Sequence, residues 1–144
     1  MNKVASSFRD PAGFIYKKND TLYRQINEQG AQDYDAFMAR LYPTLLERNL
    51  IVKHDEVLQD LAYSADAYKI IQPELIPFIS YPYEWTFEQL KDAALLTLRI
   101  QKIAMKLGFI LKDASAYNIQ FIGARPVFID SLSFAPYKNG QAWE

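Results

Sequence analysis

Asp113, Asn118 and Asp130 are the residues of this chain whose types and spacing best suit chemistry. Five positions separate Asp113 from Asn118, and twelve separate Asn118 from Asp130. Carboxylate and carboxamide oxygens are suitable ligands for a hard cation such as Mg²⁺, and a carboxylate beside an acceptor hydroxyl can take its proton. The three residues therefore have, in outline, the composition of a site for a metal ion and a phosphate group.

A β-hairpin is the element expected to position these three side chains. Apolar residues alternate on either side of the turn segment 123–126, at Ile119, Phe121, Val127 and Ile129. This alternation is typical of two paired strands. Hairpin pairing brings the start of the first strand next to the end of the second. Asn118 and Asp130 are then expected to face one cleft, with Asp113 on the loop that leads into it.

A simpler interpretation of the same residues stands beside this one. The spacing D-x-x-x-x-N occurs by chance in many proteins, so it does not specify a site. Asn118 would then be an ordinary turn residue, and Asp130 would cap the element that follows it.

The segment 107–134 resembles the catalytic and metal-binding loops of protein kinases and of aminoglycoside-phosphotransferase-like enzymes. In that family a helix leads to an H-x-D-x-x-x-x-N loop, a hairpin and an Asp-Phe-Gly-like step. The resemblance implies that Asp113 is the catalytic base, Asn118 the second metal ligand and Asp130 the principal magnesium ligand. Two positions depart from the pattern: Leu111 replaces the His, and Ser-Leu replaces the Phe-Gly after Asp130.

The same resemblance implies where a nucleotide would bind. The segments 13–16 and 21–26 are β-prone and predict a hairpin that would cover ATP, with Gly13 allowing close approach of the backbone to phosphate. The glycine-rich loop G-x-G-x-x-G of the family is absent. Arg24, or less favourably Lys17, would replace the strand lysine that holds phosphates. The alternative is that both are ordinary solvated charges on a strand.

Tyr81 and Tyr83 belong to a segment rich in aromatic residues and proline. In a kinase-like fold the segment 78–85 would connect the two lobes, and these tyrosines would form walls around an adenine ring. Exposed aromatic residues beside prolines also suit the docking of a peptide or a subunit. The sequence does not separate the two interpretations.

The remaining pattern predicts an α+β fold, in the form of a partial protein-kinase-like fold. Residues 1–12 are expected to be a flexible lead-in, 13–82 a small lobe, and 86–134 a helix, loop and hairpin of the large-lobe type. Thr86 and Gln89 form a capping box that opens a long helix over 86–107, and Gly108 is expected to end it as a C′ residue. The whole chain, 1–144, is interpreted as a single kinase-like module, and as a fragment or the N-terminal domain of a longer protein.

Three further predictions are local. Asp33 is a plausible N-cap for the helix that follows Gly30. The segments 68–71 and 75–80 are β-prone, and nearby prolines would limit them to edge strands or short pieces. His54 is expected in a solvated connection, because Lys53, Asp55 and Glu56 surround it in sequence.

Composition excludes several classes of protein. The 144 residues carry 16 basic and 17 acidic side chains, and this balance does not favour nucleic acid or an anionic membrane. The absence of cysteine excludes disulfides and thiolate metal sites, and it fits a cytoplasmic location. No run of eighteen apolar residues is present, so a membrane-embedded protein is not expected.

A second resemblance covers more of the chain. The combination F-R-D-P-A-G, I-P-F-I-S-Y-P-Y-E-W, Q-L-K-D-A-A-L-L-T-L and L-K-D-A-S-A-Y-N is similar to the N-terminal region of long bacterial proteins described as S-adenosylmethionine-dependent methyltransferases. Because no strand leads into a glycine-rich loop of that type, this segment is not expected to bind S-adenosylmethionine. The similarity implies a downstream domain of the same protein as partner; self-association into a homo-oligomer is a further expectation.

These observations give two functional hypotheses, and they leave open whether the chain is an enzyme. The first is a kinase-like module that binds ATP and Mg²⁺, with weak or no phosphotransfer by this chain alone. The alternative is a non-catalytic interaction or substrate-presenting domain of a larger methyltransferase-type protein.

Overall fold

The computed structural model describes residues 2–3 and 10–143 of the chain. These residues form an α+β structure with antiparallel sheets. They divide into two compact units: unit 1 comprises Met1–Asp35 and Lys53–Glu74, and unit 2 comprises Ala36–Val52 and Leu75–Glu144. Most of the predicted flexible lead-in lies outside the described residues. Within it, Asn2–Lys3 form a short strand.

Unit 1 contains a five-stranded sheet in the order β1-β2-β3-β5-β4, and each neighbouring pair is antiparallel. The strands are β1 (Asn2–Lys3), β2 (Gly13–Lys18), β3 (Thr21–Asn27), β4 (His54–Val57) and β5 (Ala67–Pro73). The predicted N-terminal hairpin is confirmed as β2 and β3. Its two turn residues, Asn19 and Asp20, have φ angles of 49° and 60°. Both lie in the left-handed region that a tight two-residue hairpin turn requires, which Asn and Asp tolerate best.

The two faces of this sheet bury different kinds of side chain. Phe14, Tyr16 and Ile70 form an apolar cluster on one face. Register places Arg24 of β3 opposite Ile71 of β5, which in turn lies opposite Glu56 of β4. Directly opposed residues point to the same face of a sheet. The second face therefore carries charged side chains among apolar ones.

Unit 2 contains most of the helical residues and two small sheets. Helix α1 (Ala31–Arg40) begins in unit 1 and continues into unit 2, where α2 (Tyr42–Glu47) and α3 (Phe87–Lys106) follow. The strands are β6 (Phe109–Leu111), β7 (Ile119–Ile122), β8 (Arg125–Phe128) and β9 (Phe134–Pro136). Strand β6 pairs with β9, and β7 pairs with β8.

Helix α3 begins and ends where the sequence predicts. The Thr86 hydroxyl accepts from the Gln89 amide, and the Gln89 side chain accepts from the Thr86 amide. Gly108 follows the helix with φ of 83°, a conformation that favours glycine after a helical C-terminus. The buried side of α3 packs in the core of unit 2 through Leu96, Ile100 and Ala104, together with Phe109 and Phe128. A well-packed helix therefore leads, through the short strand β6, into the predicted catalytic loop.

Three local predictions are wrong. Asp33 lies in the first turn of α1 and is not its N-cap, since the helix already begins at Ala31. The segment 75–80 forms no strand, because the prolines within and beside it remove backbone donors. His54, predicted in a solvated connection, lies in β4 and is only 6% exposed. Among the described residues, no helix is long and apolar enough to cross a membrane.

Candidate functional site

The β7–β8 hairpin brings Asn118 and Asp130 to the same end of two paired strands. Ile119 pairs with Phe128, and the Ile129 amide donates to the Asn118 carbonyl oxygen over 2.9 Å. The turn at the other end contains Gly123, whose φ of 62° explains the glycine there. The predicted hairpin is therefore confirmed, and Asn118 and Asp130 lie near each other across the open end of its two strands.

The loop that carries Asp113 closes onto the same end of the hairpin. The Lys112 amide donates to the Ser133 carbonyl oxygen over 2.7 Å, continuing the pairing of β6 with β9. The Asn118 side-chain amide lies 3.4 Å from the Asp113 carbonyl oxygen, a long hydrogen bond. All three predicted site residues thus belong to one cluster of loops in unit 2.

Both carboxylates are oriented by short local hydrogen bonds. One Asp130 oxygen accepts from the Leu132 amide over 2.9 Å, and the other accepts from the Ser133 hydroxyl over 2.7 Å. Asp113 accepts from the Ser115 amide over 2.9 Å. An ionised carboxylate has about four acceptor positions. These contacts fix the orientation of each group, and a carboxylate is also a ligand type that Mg²⁺ accepts.

The composition of this cluster limits which metal it suits. Within residues 2–3 and 10–143, no group of three or more His, Cys, Asp or Glu side chains is arranged to hold a metal ion. The cluster instead offers two carboxylates and one carboxamide. Mg²⁺ commonly takes only one or two protein carboxylates and completes its shell with water and phosphate oxygens. The roles of Asp113, Asn118 and Asp130 remain predictions.

Arg24 and Gly13, the predicted phosphate-binding residues, both lie in unit 1. Gly13 begins β2, and its amide donates to the Asp10 carbonyl oxygen over 3.3 Å. Arg24 lies within β3 and is 8% exposed, so the interpretation of Arg24 as a solvated strand charge is wrong. Lys17, the second candidate, is more than half exposed and forms an ion pair with Asp20 at 3.4 Å.

A polar cluster around His54 was not predicted from the sequence. The Tyr34 hydroxyl lies 3.1 Å from His54 Nε2 and 3.2 Å from a Glu56 oxygen. A phenol has one proton and an ionised carboxylate only accepts, so Tyr34 donates to Glu56 and accepts from Nε2–H of His54. Lys69 completes the cluster with a 2.7 Å ion pair to the other Glu56 oxygen.

Burial changes the acid–base behaviour of this cluster. It lowers the pKa of His54 from 6.5 to about 4, despite the opposing effect of Glu56 and Asp55. The hydrogen bond from Lys69 lowers the pKa of Glu56. His54 is therefore neutral and Glu56 ionised at neutral pH. The available signal was the β-prone segment 68–71, which lies in β5, the partner of β4. Ile70 and Ile71 of β5 are buried, and their burial favours a buried histidine in the neighbouring strand over a solvated one.

Tyr81 and Tyr83 stack on each other in unit 2. Their ring centroids are 5.5 Å apart, and their planes differ by 2°. They are 45% and 76% exposed, so each ring still offers surface to a ligand. Partial desolvation of the hydroxyl raises the pKa of Tyr83, with smaller contributions from Glu84, Tyr81 and Tyr117. Adenine binding and partner docking by Tyr81 and Tyr83 both stay predictions.

Gln120 connects the aromatic segment 78–85 to the β7–β8 hairpin. This role was not predicted from the sequence. Its side-chain oxygen accepts from the Ser80 amide and its side-chain nitrogen donates to the Ser80 carbonyl, each over 3.0 Å. The Trp85 indole donates to the Ser80 hydroxyl over 2.9 Å. A polar residue among the apolar residues of β7 was the available signal, because buried amides need partners.

Comparison with known proteins gives one informative match. The chain is 38% identical over 143 residues to Nodulation protein NoeA of Rhizobium meliloti (strain 1021). The match covers 98% of this chain and 30% of that protein. This chain is therefore similar to a limited part of a longer bacterial protein. No protein-family model matches it.

Proposed function

We propose that this chain is a kinase-like module that binds ATP with Mg²⁺ and has weak or no phosphotransfer activity by itself. One observation carries the proposal: the β7–β8 hairpin and the loop after β6 gather Asp113, Asn118 and Asp130 at one end of two paired strands. In this proposal Asn118 and Asp130 hold the metal, and Asp113 faces the acceptor hydroxyl.

The position of Arg24 supports the proposal independently of the metal ligands. Protein kinases place their phosphate-binding lysine on the third strand of the small lobe. Arg24 lies on the third strand of an antiparallel sheet, and it is a buried cation. Its guanidinium is a suitable group for phosphate oxygens because its donors form a fixed fork.

The departures from the kinase pattern are the reason for proposing weak phosphotransfer. Leu111 replaces the loop histidine, and it is buried in β6 with 2% exposure. A leucine makes no side-chain hydrogen bond to the loop. Without that support, Asp113 is held chiefly by local contacts such as that with Ser115. Loose positioning of a catalytic group costs rate much more than it costs ligand binding.

Isothermal titration calorimetry tests the proposal. We expect ATP to bind the wild-type chain in the presence of Mg²⁺ and to bind at least tenfold more weakly after Asp130→Asn, which keeps the shape of the side chain and removes its charge. Asp60→Asn is the matched control, since Asp60 is an exposed carboxylate of unit 1. The proposal would be contradicted if the wild-type chain showed no heat of binding with ATP and Mg²⁺. It would also be contradicted if Asp130→Asn and Asp60→Asn lost the same amount of ATP affinity.

A second candidate function is an interaction or substrate-presenting domain of a larger methyltransferase-type protein. Two observations favour it: the chain matches only 30% of its longer relative, and the segment 75–79 exposes Leu75 (76%), Phe78 (75%) and Ile79 (51%). Exposed apolar side chains of this kind suit a protein interface. Two results together would favour this candidate. The wild-type chain would not bind ATP, and the Leu75→Ser and Phe78→Ser variants would associate more weakly with the remainder of the full-length protein.

A further inference from the structure

We infer that a cavity of unit 2 binds a small organic phosphate monoester at a site separate from Asp113, Asn118 and Asp130. The cavity has a volume of about 400 Å³ and includes three arginines in its lining: Arg48, Arg99 and Arg125. Ligand sites in proteins typically occupy ~300–1,000 Å³. The cavity is therefore large enough for a phosphate group with a compact apolar substituent.

Three different elements position the arginines around the cavity. Arg48 is the C-cap of α2; after it, Asn49 takes a left-handed φ of 56° and the Leu50 amide donates back to the Leu45 carbonyl oxygen. This pattern is a Schellman-type helix end. Arg125 begins β8 and donates to the Asn49 carbonyl over 2.8 Å. Arg125 therefore connects the helix end to the hairpin.

Helix α3 contributes a further part of the cavity lining. Asp92, Leu96 and Arg99 recur at intervals of four and three residues, which places them along one side of the helix. Leu96 is 5% exposed and Pro126 of β8 is partly buried, so the cavity also has apolar surface. A ligand with both an anionic and an apolar part matches this lining.

The charges favour a dianion. Three guanidinium groups and the Asp92 carboxylate give the lining a formal charge of +2. A phosphate monoester carries about −1.5 to −2 at pH 7, and guanidinium forks match its oxygens. Among the described residues, Arg48 and Arg99 form no ion pair, so their charges are available to a ligand.

NMR titration with phenyl phosphate in Mg²⁺-free buffer tests the inference, using the Asp130→Asn chain so that the proposed metal site does not contribute. We expect the amides of 48–50, 92–99 and 125–126 to shift. The double variant Arg48→Gln/Arg99→Gln should weaken binding at least tenfold. Lys102→Gln, which removes an exposed charge from α3 outside the cavity, should leave binding unchanged.

A gain in affinity provides a second test that loss of folding cannot imitate. Asp92→Asn removes the one negative charge of the lining, and binding should strengthen by about two- to fivefold at low salt. Phenol should not bind, since it lacks the anion. Any of three results would overturn the inference. The double arginine variant and Lys102→Gln would bind phenyl phosphate equally well, Asp92→Asn would bind it more weakly than the chain with Asp92, or phthalate would bind more tightly than phenyl phosphate.

Discussion

At the scale of single residues, the burial of His54 should make the stability of the chain depend on pH. Its pKa is about 4 in the folded chain and 6.5 when unfolded, chiefly because it is buried. Between these values the unfolded chain binds more protons. The stabilisation is therefore fully present above pH 6.5 and is lost as the pH falls towards 4, by at most ~3 kcal/mol.

Urea unfolding at several pH values checks this prediction. Wild-type stability should decline between pH 6.5 and 5, and His54→Gln should remove most of that decline. Glu56, whose pKa is lowered, contributes mainly below pH 4.5, so it does not obscure this window. Identical pH dependence in the two chains would contradict the assignment.

The sequence predicts some residues better than others for identifiable reasons. The placement of Asp113, Asn118 and Asp130 in one cluster of loops was predictable because loop and hairpin spacing is local. Their roles stay predictions. His54 was missed because its neighbours Lys53 and Asp55 are charged. Its burial depends on Tyr34, twenty positions away, and no local pattern reports such a contact.

At the scale of elements, the Thr86 cap should contribute measurably to α3. Thr86→Ala removes the hydroxyl that accepts from the Gln89 amide, and it should lower the free energy of unfolding by ~1 kcal/mol. Thr86→Ser keeps the hydroxyl and should lose much less. Chemical denaturation of the three chains checks the difference; an equal loss in both variants would mean that packing of the threonine methyl matters more than the cap.

The elements with strong local signals were predicted correctly. The capping box, Gly108 and the two hairpins carry turn and cap chemistry within a few residues, and each appears in the structure. The segment 75–80 failed because its residues favour strands while its prolines prevent pairing. The clamp between Gln120 and Ser80 holds that segment instead, and it joins residues forty positions apart.

At the scale of the whole chain, composition and element order predicted an α+β fold, and the structure confirms that fold class. The division into two compact units was less accessible, since unit 2 takes residues 36–52 from between the strands of unit 1. Sequence patterns locate elements along the chain, but they do not report which distant segments pack together. The match to 30% of a longer bacterial protein is consistent with the expectation that such a module occurs within larger proteins.

Paramagnetic NMR with Mn²⁺ in place of Mg²⁺ tests the central claim most directly. In the presence of ATP, sub-stoichiometric Mn²⁺ should broaden the amide signals around Asp113, Asn118 and Asp130 first, and Asp130→Asn should abolish this selectivity. Broadening that is uniform, that centres on other carboxylates, or that persists unchanged in Asp130→Asn would contradict the proposed metal site.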